Sequence, residues 1–270
     1  MSELLVISNR VARPAAKGTG STGGLAMALA AGLRESGGVW FGWSGNTTPE
    51  FSGKITTTRS DGVTIATVDL EDIDVQEYYN GYANKTLWPV FHYRIDLAAY
   101  DRSFNEGYDR VNRRFAETLR PLIAHDDIVW IHDYHLIPMA RELRRLGVKN
   151  RIGFFLHIPW PARQLVTTLP RHRQLVEALF DYDLIGFQTT EWQEAFEDYL
   201  VHEVDGSIMG DGILEAFGKR VRAGAFPIGI DAEEFAVQVR SPAAARMYDR
   251  MAAQSVFRSM IVGVDRLDYS

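Results

Sequence analysis

Two short runs carry the side chains best placed for chemistry: Trp130-Ile-His-Asp-Tyr-His-Leu136 and Phe154-Phe-Leu-His-Ile-Pro-Trp-Pro161. Each grows out of an apolar stretch, Ile128-Val-Trp-Ile131 or Ile152-Gly-Phe-Phe-Leu156, that reads as a buried strand. Open parallel α/β sheets bind ligands outside the carboxyl ends of their strands, where loops and helix N-termini converge. Asp133 and His157 are therefore candidate site residues. Asp133 could accept hydrogen bonds from sugar hydroxyls, or cap a helix that opens near Leu136. His157 precedes two prolines that stiffen its exit, and its competing role is structural. Arg10 follows the first apolar run, Leu4-Leu-Val-Ile-Ser8, and falls at the same rim, where a guanidinium could grip a phosphate bidentately or simply face solvent.

Trp43, Tyr79 and Trp88 read as strand-end or loop residues rather than a helical stripe. Sugars lay their C–H faces on such rings while their hydroxyls go to polar neighbours, although core packing is the commoner use of any one such ring taken singly. His132, Asp133 and His135 invite a metal reading, but no further ligand stands at helical or hairpin spacing. Gly18-Thr-Gly-Ser-Thr-Gly23 spells a dinucleotide-binding signature, yet it begins well after the first strand, and no acidic residue ends the next one, where Trp40 to Trp43 stand. What remains useful is Gly23-Gly-Leu25, whose bare backbone N–H groups at a helix start could approach an anion or sugar diphosphate.

The elements that must position these residues alternate. Strands are expected at Leu4 to Ser8, Val39 to Trp43, near Ile55, Thr64 to Val68, Ile128 to Ile131, Ile152 to Leu156, Asp183 to Phe187 and Lys219 to Pro227. Helices are expected from Leu25 to about Arg34, Asn105 to Ile123, Leu136 to Leu146 and around Trp192 to Leu200, where apolar residues recur at spacings of three and four. Asp72 to Trp88 reads as aromatic-rich and irregular. The alternation predicts an α/β fold: a Rossmann-like, mainly parallel sheet with helices on both faces. An Ala/Arg-rich helical region from Asp231 to about Gln254 is interrupted by Pro242, and one more strand, Met260 to Val264, runs into Asp265-Arg-Leu-Asp-Tyr-Ser270. With no helix after it, that strand reads as the opening of a second domain.

The 29 basic and 35 acidic side chains leave a net charge of -6, which argues against a nonspecific grip on nucleic acid or anionic membrane. Cysteine is absent, so disulfides and thiolate metal sites are excluded and a reducing cytoplasm is the natural address. The N-terminus lacks the pattern of a secretory signal, and no apolar run nears the roughly 20 residues of a transmembrane helix.

Nine blocks in one order resemble the trehalose-6-phosphate synthase family: Ser8-Asn-Arg10, Gly23-Gly-Leu25, Trp40 to Gly45, Tyr78-Tyr-Asn80, Leu87 to Arg94, Trp130 to Leu136, His157-Ile-Pro159, Asp183 to Gln188 and Val264 to Ser270. The resemblance covers the whole chain. It implies the N-terminal half of a retaining glycosyltransferase of the two-Rossmann-domain (GT-B) type, transferring glucose from UDP-glucose to glucose 6-phosphate. Residues 1–250 would form the acceptor-binding domain, and residues 251–270 a linker and the first strand of a truncated nucleotide-binding domain, so this chain by itself is expected to be nearly inactive. The family's acceptor contacts fall on Arg10, Trp43, Tyr79, Trp88 and Asp133, and its donor contacts on Gly23, Gly24, His157 and Arg266. Arg266 would stabilise charge on the departing UDP. No cofactor or metal is implied, and homo-oligomerisation of a full-length protein stays open. Relatives acting on glycerol phosphate or cyclitols, and a non-catalytic sugar-phosphate-binding module, are the alternatives.

Overall fold

The computed structural model describes residues 3–11, 29, 32–33, 37–60, 62–229, 232–255, 261 and 263. The chain divides into two compact units, Met1–Pro227 and Ile228–Ser270. In the first, ten strands form one sheet in the order β3-β4-β2-β1-β5-β6-β7-β10-β9-β8. These are β1 (Leu4–Arg10), β2 (Gly38–Thr48), β3 (Thr56–Ser60), β4 (Val63–Glu71), β5 (Ile128–His132), β6 (Arg151–Leu156), β7 (Leu184–Phe187), β8 (Ser207–Gly210), β9 (Ile213–Ala216) and β10 (Lys219–Ala225). The seven central strands, β4 through β10 in sheet order, pair in parallel; β3, β9 and β8 pair antiparallel at the two edges. From β1 the chain builds outward through β2 and β4 on one side, then returns to build through β5, β6 and β7 on the other. The β1/β5 junction is therefore the topological switch point, where the loops leaving adjacent strands diverge and open a crevice.

Period-two alternation splits β1 between two hydrophobic clusters. Leu5 and Ile7 join the large core with Phe41, Phe115 and Ile131, while Val6 packs with Val11, Leu29, Leu33, Trp40, Val63 and Ile65 on the opposite face. Both faces of β1 being covered explains its uninterrupted apolar sequence. The large core is closed by the helix Arg102–Leu119, whose Val111, Phe115 and Leu119 are fully buried. Asp101 caps it, its carboxylate accepting from the Ser103 N–H at 2.8 Å.

Several expectations need correction. The stretch Asp72 to Trp88 is not irregular: Asp72–Asp74, Val75–Leu87 and Trp88–Phe91 form one helical run, and Val75–Leu87 is wound with i→i+5 hydrogen bonds. Buried Tyr78, Tyr82, Leu87 and Phe91 recur every four to five residues, so a search for the 3.6-residue period finds no stripe there. Tyr79 and Trp88 accordingly stand on helices, not loops. In β5 Val129, Ile131 and His132 are buried, whereas Ile128 and Trp130 are 45% and 36% exposed. The hairpin β8–β9 and the helices Arg163–Val166 and His172–Leu179 are additional. Of the expected helix from Leu25 to Arg34, residues 29, 32 and 33 are described and helical; of the strand expected from Met260 to Val264, residues 261 and 263 are described and neither is in a strand.

The second unit contains the helices Ala232–Val239 and Pro242–Gln254. They are separated as the Pro242 signal implied, with the Ser241 hydroxyl accepting from the Ala244 N–H at 3.2 Å.

Candidate functional site

Because β1, β5 and β6 are parallel neighbours, the residues that end them, Arg10, Asp133 and His157, emerge on one rim of the sheet. Register places Arg10 opposite Trp43 of β2, and the Arg10 guanidinium lies 5.6 Å from the centre of the Trp43 ring. Gly45, at φ 89°, supplies the room: a Cβ there would come within 2.5 Å of the guanidinium. Arg10 is exposed, and among the described residues its guanidinium makes no hydrogen bond or ion pair and meets the Trp43 indole face.

From Trp43 a relay of rings crosses the switch point. Trp43 meets Tyr79 edge-on at 5.7 Å, Tyr79 stacks on His135 at 5.8 Å with 15° between planes, and His135 lies 4.0 Å from Tyr134. The widened helix sets this up from below. Its Tyr78 hydroxyl donates to buried Asn9 at 2.8 Å, and the Tyr134 hydroxyl donates to its Asn84 at 2.9 Å. These bonds tie the helix to the ends of β1 and β5.

Asp133 has φ 76° and ψ 164°, a conformation that non-glycine residues adopt only under constraint and at a cost of about 1–3 kcal/mol. The constraint is visible: its N–H donates to the Phe155 carbonyl at 2.8 Å, and its Oδ1 accepts from the N–H groups of Tyr134 at 3.1 Å and His157 at 3.2 Å. Asp133 thus caps the short turn Tyr134–Leu136, one of the two roles its sequence position offered, and leaves Oδ2 without a protein partner among the described residues. Burial pushes the carboxyl up to about 6, against the lowering effect of the two N–H donors. At neutral pH it is mostly ionised and an acceptor.

His157 Nε2 lies 3.0 Å from Nδ1 of His132, a fully buried imidazole on the Trp130 face of β5. Burial lowers His157 to about 4, and burial together with the neighbouring His157 lowers His132 well below the usual imidazole value, so both rings are neutral at pH 7. Among the described residues no group of three His, Asp or Glu side chains is arranged to hold a metal ion.

The structure thus brings together Arg10, Trp43, Tyr79, Asp133 and His157. Trp88 is buried one turn beyond Asn84 on the same helical run and stacks on His92 at 4.0 Å. Gly23, Gly24 and Arg266 lie outside the described residues. Sequence reasoning did not single out Asn9, Tyr78, Asn84 or Tyr134, although Asn9 and Tyr134 flank the two site residues that it did. A cavity of about 520 Å³ lined by Tyr82, Tyr100, Asn105 and Arg171 is separate, and no strand-end residue lines it. Along the rim stand a cation at one end, largely buried aromatic rings between, and a carboxylate oxygen without a described partner and an imidazole at the other. That set suits a phosphorylated, hydroxyl-rich ligand.

Trehalose-6-phosphate synthases of Sinorhizobium fredii and Cronobacter sakazakii are each 46% identical to the chain over its whole length. The chain spans only 59% and 56% of their respective lengths. Among solved structures, an α,α-trehalose-phosphate synthase (UDP-forming) from Burkholderia xenovorans in complex with glucose-6-phosphate superimposes with a TM-score of 0.88 at 47% identity, covering 99% of this chain and 59% of that one. An Escherichia coli structure bound with UDP-2-fluoro glucose superimposes with a TM-score of 0.84 at 43% identity, over 93% of this chain and 54% of that one. The family model for glycosyltransferase family 20 matches residues 5–270, and the chain belongs to that family.

Proposed function

We propose that the chain is the acceptor-binding part of a retaining glycosyltransferase that moves glucose from UDP-glucose to glucose 6-phosphate, forming α,α-trehalose 6-phosphate. The observation that carries this reading is Arg10, a guanidinium seated over Trp43 beside the switch point with no anionic partner among the described residues. A phosphate monoester supplies that partner through two parallel hydrogen bonds. The glucose 6-phosphate held by the Burkholderia xenovorans relative supports the acceptor, and the UDP-2-fluoro glucose of the Escherichia coli relative supports the donor.

With the phosphate on Arg10, the sugar ring lies along Trp43 and Tyr79 and its hydroxyls reach Asp133 Oδ2. Trp88 contributes to the same acceptor site. Gly23, Gly24, His157 and Arg266 contact the donor, with Arg266 stabilising charge on the departing UDP. Asp133 and His157 are coupled by the His157 N–H bond to Oδ1 and sit side by side. They do not flank a bond from opposite faces as a glycosidase carboxylate pair does. They act by orienting the two substrates, and rate enhancement comes from holding acceptor and donor in reactive alignment. No metal takes part in this scheme. The acceptor-binding domain comprises residues 1–250, and the cysteine-free sequence supports a cytoplasmic setting.

Calorimetric titration of glucose 6-phosphate into the chain and into Arg10→Ala tests the acceptor site. A loss of about tenfold or more is expected, about 1.4 kcal/mol; equal affinities would remove Arg10 from it. UDP release from UDP-glucose and glucose 6-phosphate, measured on a protein of the relatives' full length, separates the enzyme from a silent sugar-phosphate-binding module.

A further inference from the structure

His132 has no part in the scheme above, yet it is a fully buried, neutral imidazole in direct contact with a proposed substrate-binding residue. Its Nδ1 shares a hydrogen bond with His157 Nε2 at 3.0 Å, while its own Nε2 is sealed from solvent with no polar partner. The ring is boxed by apolar surfaces, the Trp130 ring centre at 4.3 Å and that of Phe155 at 6.4 Å. On the His157 ring, Nε2 is taken and Nδ1 is not enclosed.

Two neutral arrangements share this one bond. In the first, His132 Nδ1–H donates to His157 Nε2. His132 Nε2 is then a bare lone pair in its apolar box, and His157 carries its proton on Nδ1. In the second, His157 Nε2–H donates to His132 Nδ1. His132 must then carry its proton on Nε2, leaving a buried N–H with nothing to donate to, and His157 Nδ1 becomes a bare acceptor. Orphaned buried N–H groups are rare and under-used buried acceptors somewhat less so, which favours the arrangement that leaves His132 Nε2 as a lone pair rather than an N–H.

We infer that His132 is a positioning residue: it holds His157 in the Nδ1–H tautomer, so that His157 offers the site a hydrogen-bond donor aimed at a hydroxyl or phosphate oxygen. The low imidazole values of both rings support the same picture, since neither is protonated at neutral pH and the choice of tautomer is real. The assignment of the donor to a sugar ligand rests on the proposed function; the tautomer does not.

The test is two-bond 1H–15N correlation NMR of the histidine-15N-labelled chain at pH 7, with His132→Asn and His132→Leu. Asparagine keeps an N–H donor near the Nδ1 position, whereas leucine keeps only bulk. The unmodified chain is expected to show His157 predominantly as the Nδ1–H tautomer. His132→Asn should retain that tautomer and His132→Leu should relax it to a mixture. A His157 proton found on Nε2 in the unmodified chain overturns the inference, and so does a tautomer unchanged in His132→Leu. If the leucine variant fails to fold, the unmodified chain still decides. Adding glucose 6-phosphate or UDP-glucose reports separately: resonances of His157 that neither ligand moves count against the sugar assignment and leave the tautomer standing.

Discussion

Replacing Asp133 by asparagine should stabilise the folded chain at alkaline pH while weakening its hold on a sugar phosphate. Burial raises this carboxyl from an ordinary 3.8 to about 6 in the folded state. The folded protein therefore binds the proton more tightly than the unfolded chain does. The stability linked to that proton is complete below about pH 4 and is lost as pH rises through 6. Two pK units at about 1.36 kcal/mol each set a ceiling of about 3 kcal/mol for the destabilisation at pH 8. Asparagine keeps the shape and an acceptor for the Tyr134 and His157 N–H groups, keeps the same backbone conformation, and cannot ionise. The stability difference between the Asp133→Asn variant and the unmodified chain should therefore widen in the variant's favour by about 2 kcal/mol between about pH 4.5 and pH 8. All other titrating groups are common to both proteins and cancel. Urea unfolding followed by tryptophan fluorescence across that range measures the difference. A gap that stays flat, or one in which the variant loses ground as pH rises, would refute the claim that a desolvated carboxylate is stored at this strand end. In parallel, glucose 6-phosphate affinity should fall about tenfold, because a neutral amide is a poorer acceptor than a carboxylate.

Arg10→Ala should leave the urea midpoint almost unchanged, since the guanidinium bonds to nothing among the described residues; a large stability loss would mean its role is structural. Gly45→Ala forces a Cβ to within 2.5 Å of the Arg10 guanidinium at a φ of 89°. It should cost about 1–3 kcal/mol of stability and should weaken glucose 6-phosphate binding by displacing Arg10 from Trp43, both readable by melting and calorimetry. Asp74 is fully buried and accepts from Arg110 Nε at 2.8 Å and from Arg114, pinning the widened helix to Arg102–Leu119. Asp74→Asn should destabilise the chain by about 3 kcal/mol in chemical denaturation, whereas Asp96→Asn at the exposed Arg94 pair should be nearly silent.

Strand positions were legible because parallel strands packed on both faces, such as β1 and β6, are continuous apolar runs, and because polar residues interrupt them where the chain leaves the sheet. The widened helix escaped because its buried residues follow an i→i+5 winding, which neither a 3.6-residue nor a two-residue search detects. The β8–β9 hairpin did carry a local signal, Asp211-Gly212, whose positive φ values of 50° and 72° make the turn that such pairs favour.

What the sequence by itself determined is the cast and its rough stage: an α/β sheet, and Arg10, Asp133 and His157 at the ends of its strands. Both follow from local patterning within a few residues. Only the tertiary structure decided how those residues are tuned. That Arg10 rests on Trp43, that Asp133 is held by the N–H of His157 and raised to about 6, and that His132 lies against His157 are contacts between segments 24 to 33 residues apart. Desolvation and hydrogen-bond direction depend on what surrounds a group in space, and no local reading of residue types contains that.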